Sequence, residues 1–126
     1  MCAAFIAVVD DEAPVRTALR RLLRLANYDV ETFDGGAALL AALGRRRLDC
    51  VLLDVNLQGL NGFEVLARLN EAGWAIPTIF ITASDDPDLD DAARRAGAKG
   101  LLRKPFSNEA LLAAVERALG TKPKAS

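Results

Sequence analysis

Five times in this chain a short strand-like run stops at a polar residue and gives way to apolar residues at helical spacing. Ala4 to Val9 is continuously apolar and stops at Asp10. A continuous run, rather than an alternating one, suits a strand buried on both faces of a parallel sheet. Leu48 to Leu53, stopping at Asp54, and Ile76 to Ile81, stopping at Thr82, read the same way. Tyr28 to Phe33 alternates and reads as a strand with one wetter face. Ala98 to Leu102 is the last strand and ends near Lys104-Pro105.

The stretches between them carry helix signals. Pro14 suits a first helical turn, with Asp11 or Glu12 ahead of it as cap. Val15, Leu19, Leu22, Leu23 and Ala26 then share one face, with Arg16, Arg20, Arg21 and Arg24 opposite. Asp34-Gly35-Gly36 opens a small helix ending near Gly44, and Phe63, Val65, Leu66 and Leu69 mark a third. Asp86-Pro87 starts a fourth that continues to Gly97. Ser107 caps a fifth, which Gly120 stops. Strands and helices in strict alternation mean a parallel sheet with helices on both faces. The expected fold is therefore α/β, a doubly wound five-stranded parallel sheet with helices on both faces. Residues 1–120 form one domain, and residues 121–126 form a polar tail that is either a free terminus or the start of a linker. The run Arg45-Arg46-Arg47 reads as a solvated helix end.

Composition removes several functions. The 126 residues include no histidine, which excludes His-ligated zinc, Ser-His-Asp and Cys-His catalysis, and a phosphohistidine carrier. Sixteen basic against seventeen acidic side chains leave a net charge of −1, without the electrostatic footprint of a nucleic-acid binder. Cys2 and Cys50 are too few for a disulfide framework, and Cys50 reads as a buried inert thiol. No apolar run is long enough for a membrane span and no signal peptide opens the chain, so the expected location is cytoplasmic.

In an open parallel sheet, ligands bind beyond the carboxyl ends of the strands. The residues that follow the strands here are Asp10 and Asp11, then Asp54, Thr82 and Lys104. Taken singly each has an ordinary structural use, as a cap, a turn residue or a strand end. Taken together they place three carboxylates, a hydroxyl and an ammonium on one edge. Crowded carboxylates repel, and a divalent cation relieves them; oxygen ligands alone favour a hard ion, Mg²⁺ above all. Lys104 and Thr82 then supply a point charge and a hydroxyl for phosphoryl oxygens. Asp54, central and at a strand end, is the candidate nucleophile for an acyl phosphate.

These residues resemble the response-regulator receiver domain, the CheY-like phosphoacceptor module. The resemblance runs from Phe5 to Leu119 through Val8-Val9-Asp10-Asp11-Glu12, Leu52-Leu53-Asp54, Gly62, Ile81-Thr82-Ala83 and Lys104-Pro105-Phe106, and is most similar to the FixJ type. It implies the flavodoxin-like strand order 2-1-3-4-5, and that Asp54 accepts phosphate from a sensor histidine kinase or phosphotransfer protein. It implies that Asp11, Asp54 and the backbone carbonyl of Asn56 bind Mg²⁺ directly, Asp10 through water, and that Thr82 and Lys104 grip the phosphoryl group. The Lys104-Pro105 bond is expected to be cis. Asn56 and Ser84 are expected to border the path of the water that removes the phosphate. The signal is expected to reach the face of the fourth helix, last strand and last helix, including Arg94, Arg95, Lys99, Leu101 and Arg103, where a downstream protein or a second copy binds. Two positions depart from the family. Leu101 stands where an aromatic is usual, and Gln58 where proline is usual.

Other classes fit less well. A haloacid-dehalogenase-type phosphatase needs an Asp-x-Asp pair and a cap domain, whereas Asp10 and Asp11 are adjacent and the chain has no room for a cap. A flavodoxin-like electron carrier needs a hydroxyl- and glycine-rich loop where this chain has Asp10-Asp11-Glu12-Ala13-Pro14. A pseudo-receiver that only binds a partner does not need the full acidic, Thr and Lys set.

Overall fold

A computed structural model describes residues 3–45 and 47–120. Cys2, Arg46 and the expected tail at 121–126 lie outside the described residues. The chain alternates β1 (Phe5–Val9), α1 (Ala13–Leu25), β2 (Asp29–Phe33), α2 (Gly36–Ala42), β3 (Cys50–Asp54), α3 (Gly62–Glu71), β4 (Thr78–Thr82), α4 (Asp88–Arg95), β5 (Gly100–Arg103) and α5 (Asn108–Leu119). All strand pairings are parallel, in the order β2-β1-β3-β4-β5. The doubly wound expectation is met.

Period-two alternation divides each central strand between two cores. Ala7, Val9, Val51, Leu53 and Phe80 face Leu39 of α2, Val65 and Leu69 of α3 and Ala93 of α4. Ile6, Val8, Cys50, Leu52, Ile79 and Ile81 face Leu19 and Leu23 of α1 and Leu111 and Val115 of α5. Both faces are covered, which is why β3 and β4 are buried at every residue. β2 and β5 lie at the edges and keep partly open residues.

Several boundaries differ from the sequence reading. β3 starts at Cys50, not Leu48; just before it Asp49 is tied to Phe5 twice, its N–H donating to Phe5 O and its carboxylate accepting the Phe5 N–H, both at 2.8 Å. β4 starts at Thr78, after Pro77, which has no N–H to donate. The small second helix ends at Ala42, so Arg45 and Arg47 lie beyond it, paired with Glu31 at 3.8 Å and Asp49 at 3.0 Å. α1 begins with Glu12 at its N-cap, and no side chain caps it. α3 carries a reciprocal cap between Asn61 and Glu64, each side chain accepting the other's N–H at 2.9 Å. Ser107 caps α5 through the Ala110 N–H, and Gly120 ends it at φ +73°.

Gly62 is set by space rather than by φ. A Cβ there would lie 2.6 Å from the Asp54 carbonyl oxygen and 2.9 Å from Val55 Cα. The start of α3 is thus pressed against the end of β3, with the Gly62 N–H donating to Val55 O at 2.9 Å.

Candidate functional site

Parallel pairing brings the carboxyl ends of β1, β3, β4 and β5 to one edge. Asp10 follows β1 and is buried, while Asp11 beside it is exposed. Asp54 ends β3 with 4% of its surface open. One carboxylate oxygen from each of Asp10, Asp11 and Asp54 lies within 4.8 Å of the others. Lys104, just past β5, reaches back across the edge. Its Nζ donates to Asp10 Oδ2 at 3.0 Å and Asp54 Oδ2 at 3.4 Å, and lies 3.6 Å from Glu12 Oε1. The Lys104-Pro105 peptide that follows is cis.

Backbone groups hold the carboxylates in place. Asp54 Oδ1 accepts the Asn56 N–H at 2.9 Å, and Asp10 Oδ1 accepts the Glu12 N–H at 2.9 Å. Glu12 occupies the N-cap position of α1 as one of the two expected residues, and it is the Asp10 side chain that accepts its N–H. A cleft of about 460 Å³ opens over the cluster, lined by Asp11, Glu12, Asp54, Asn56, Gln58, Ala83 and Lys104. Asp10 lies beneath it. Thr82 is fully buried and absent from the lining, its Oγ1 accepting the Ser84 N–H at 3.0 Å.

Burial pushes the Asp54 carboxyl above its ordinary range; the Asn56 N–H opposes this, the Asp10 charge adds to it and the Lys104 charge opposes it. Burial alone would lower the Lys104 ammonium, but its bond to Asp10 and the charges of Asp54 and Asp10 outweigh that and raise it. One ammonium shared among three carboxylates leaves negative charge uncompensated. Oxygen donors of this kind, converging on an open cleft, fit a hard divalent cation such as Mg²⁺.

Every residue singled out at the strand ends therefore converges here, except that Thr82 is buried outside the cleft lining with its hydroxyl engaged by the Ser84 N–H. Two arginines make contacts here that the sequence pattern does not foresee. Arg16, placed by the helical pattern on the solvent side of α1, is half-buried, and its Nη1 donates to Asp10 O at 2.7 Å. Arg103, expected on the face of the fourth helix, last strand and last helix, also binds the carbonyls of the β4–α4 loop. Neither differs in sequence from its neighbours: Arg20, Arg21 and Arg24 repeat Arg16, and Arg94 and Arg95 repeat Arg103.

Residues 6–116 match the family model described as the response regulator receiver domain. The chain is 39% identical over 117 residues to the transcriptional regulatory protein TdiR of Thauera aromatica, covering 93% of this chain and 52% of TdiR. It is 37% identical over 114 residues to the transcriptional regulatory protein FixJ of Bradyrhizobium diazoefficiens, covering 90% of this chain and 56% of FixJ. It thus spans about half the length of these relatives. The structure of the chemotaxis protein CheY4 of Vibrio cholerae superposes with a TM-score of 0.86 at 32% identity, covering 94% of this chain and all of that one.

Proposed function

This chain belongs to the response regulator receiver domain family of two-component systems, and from that premise we propose that Asp54 accepts a phosphoryl group in a Mg²⁺-dependent reaction with the phosphohistidine of a sensor histidine kinase or phosphotransfer protein. The family is a signalling domain, not a classical enzyme. Residues 1–120 are the receiver unit on this reading and 121–126 its tail. The observation that carries the proposal is the Asp10, Asp11 and Asp54 cluster under one cleft, with Lys104 bridging two of its members.

The chain's own groups have distinct tasks. Asp54 presents an ionised oxygen that forms the new P–O bond while the P–N bond of the donor breaks. Its carboxylate is oriented by the Asn56 N–H and by Lys104, so little reorganisation is needed during transfer. Lys104 also meets the charge of a phosphoryl oxygen arriving in the cleft. Asp11, Asp54 and the carbonyl of Asn56 would hold Mg²⁺, with Asp10 acting from beneath through water. The bound ion supplies charge neutralisation for the carboxylates and the entering phosphoryl group. Ala83 and Asn56 leave the cleft open, so transfer and later hydrolysis are both self-catalysed.

Thr82 must then move to bond a phosphoryl oxygen. The motion is carried to the α4–β5–α5 face, where a downstream protein or a second copy docks. Leu101 there is half-buried against the Phe80 side of the core, so its reorientation is smaller than that of an aromatic. Among the described residues no helix is long and apolar enough to cross a membrane, and a cytoplasmic location goes with the proposed kinase partner.

The test is intact mass after exposure to a small acyl-phosphate donor. One added phosphoryl group is expected with Mg²⁺ and none with EDTA or in Asp54→Ala. Modification that persists in Asp54→Ala overturns the assignment.

A further inference from the structure

The β4–α4 loop, residues 83–87, is bound on two sides. Internally it is a chain of turns in which each side chain accepts an N–H two residues on. Thr82 Oγ1 takes Ser84 N–H at 3.0 Å, Ser84 Oγ takes Asp86 N–H at 3.1 Å, and Asp86 Oδ1 takes Asp88 N–H at 2.9 Å. The carbonyls of the same residues point to β5. Arg103 Nε donates to Ser84 O at 3.2 Å and Nη2 to Asp86 O at 2.6 Å. The guanidinium also pairs with Asp90 of α4, Nη2 to Oδ2 at 2.9 Å and Nη1 to Oδ1 at 3.2 Å. Arg103 and Thr82 are register partners on adjacent strands, and Lys104 N–H donates to Thr82 O at 2.7 Å.

We propose that Arg103 is a positioning residue that latches the β4–α4 loop with the Thr82 hydroxyl withdrawn from the cleft and ties that position to α4 through Asp90. The inference rests on the reading of Asp54 as phosphoacceptor. The Thr82 hydroxyl is engaged with Ser84, and the Ser84 peptide is held at its other end by Arg103. Thr82 cannot swing toward Asp54 with Ser84 following unless Ser84 O leaves the guanidinium. A planar fork is needed for this. Its separate nitrogens reach two carbonyls and a carboxylate at once, which a lysine ammonium on a flexible stem does not reproduce. The Asp90 charge keeps the fork oriented, since its carboxylate engages both terminal nitrogens. The Arg103 bond in turn holds the Asp90 carboxyl below its ordinary range. Loop, strand and helix thus form one contiguous unit with two arrangements, latched and released, and phosphorylation biases it toward release.

The test uses the full chain with Arg103→Ala, Arg103→Lys and Asp90→Asn. In unphosphorylated, metal-free protein, hydrogen exchange at the Ser84 and Asp86 amides is expected to quicken in Arg103→Ala and less in Asp90→Asn. Exchange at β3 amides should stay unchanged, which reports an intact fold. With Mg²⁺ present, beryllofluoride is expected to bind about threefold to tenfold tighter in Arg103→Ala, because the latch no longer opposes Thr82. Arg103→Lys should restore neither property fully. Unchanged loop exchange in Arg103→Ala overturns the latch. Beryllofluoride binding that is unchanged or weaker in a variant with quickened exchange overturns the withdrawn-Thr82 assignment, and full rescue by lysine reduces Arg103 to a charge. If the wild-type chain takes up neither phosphoryl group nor beryllofluoride, the reading of Asp54 fails, while the exchange arm still decides whether the latch exists.

Discussion

Replacing Lys104 by Met removes the ammonium that bridges two buried carboxylates while keeping most of the apolar stem. At an effective dielectric of about 20, unit charges at the 3.0 Å and 3.4 Å separations seen here attract by about 5.5 and 4.9 kcal/mol. The net loss is far smaller, because burying the ammonium costs free energy and about a fifth of its side chain still meets water. Removing one partner of a buried pair typically costs about 3–5 kcal/mol. Discounted for that exposure, the expected cost in metal-free protein at pH 7 is about 2–3 kcal/mol, or roughly 8–11 °C in Tm for a domain of this size. In an Asp54→Asn background the same change should cost about 1–2 kcal/mol less, which measures the coupling of that pair. The pH dependence has a definite sign. Asp54 already has a folded pKa above the unfolded 3.8, and loss of Lys104 raises it further. A carboxyl with a raised folded pKa destabilises the fold while ionised, and is relieved as pH falls through that pKa. The deficit of Lys104→Met should therefore narrow as pH falls from 7 toward 4. Lys104 itself, raised above 10.5, makes its full contribution throughout that window. Urea unfolding of the two single variants and the double variant across this range is the assay. A cost below about 0.5 kcal/mol that does not change with pH would refute the counter-ion account.

Four further outcomes are expected. Mg²⁺ should raise the Tm in calorimetry, with about 1.4 kcal/mol of stabilisation at ten times its Kd. Asp11→Asn should raise metal-free stability by about 0.5 kcal/mol and weaken Mg²⁺ binding; a less stable variant with normal Mg²⁺ binding would make Asp11 a structural residue only. Gly62→Ala should cost about 2–3 kcal/mol in urea unfolding, since its Cβ meets backbone at Asp54 and Val55 and not a flexible side chain; wild-type stability would contradict the close approach. Ser84→Tyr should slow loss of phosphate severalfold after donor removal with Mg²⁺ affinity unchanged. An unaltered rate in both Ser84→Tyr and Asn56→Arg would move control of water access to the loop carrying Gln58.

Much of this molecule was determined by patterns that are local in the chain. Continuous apolar runs at β1, β3 and β4 reflect burial on both faces, and alternation at β2 reflects an edge, so the parallel sheet and the residues at its strand ends were legible. That put Asp10, Asp11, Asp54, Thr82 and Lys104 on one edge without coordinates. Tertiary structure decided what those side chains do to one another. Lys104 lies 94 residues from Asp10 and 50 from Asp54, and only sheet order and register bring its Nζ within 3.0 and 3.4 Å of them. The same holds for the arginines. Helical periodicity assigns Arg16, Arg20, Arg21 and Arg24 to one polar side, but only Arg16 lies where the turn after β1 exposes the Asp10 carbonyl. Arg103 reads as one cation among several until β5 is set beside β4 and the loop carbonyls face it. Periodicity records which surface is apolar. Pairing of charges depends on distances of a few ångströms between segments far apart in sequence, and those distances exist only once the sheet has assembled.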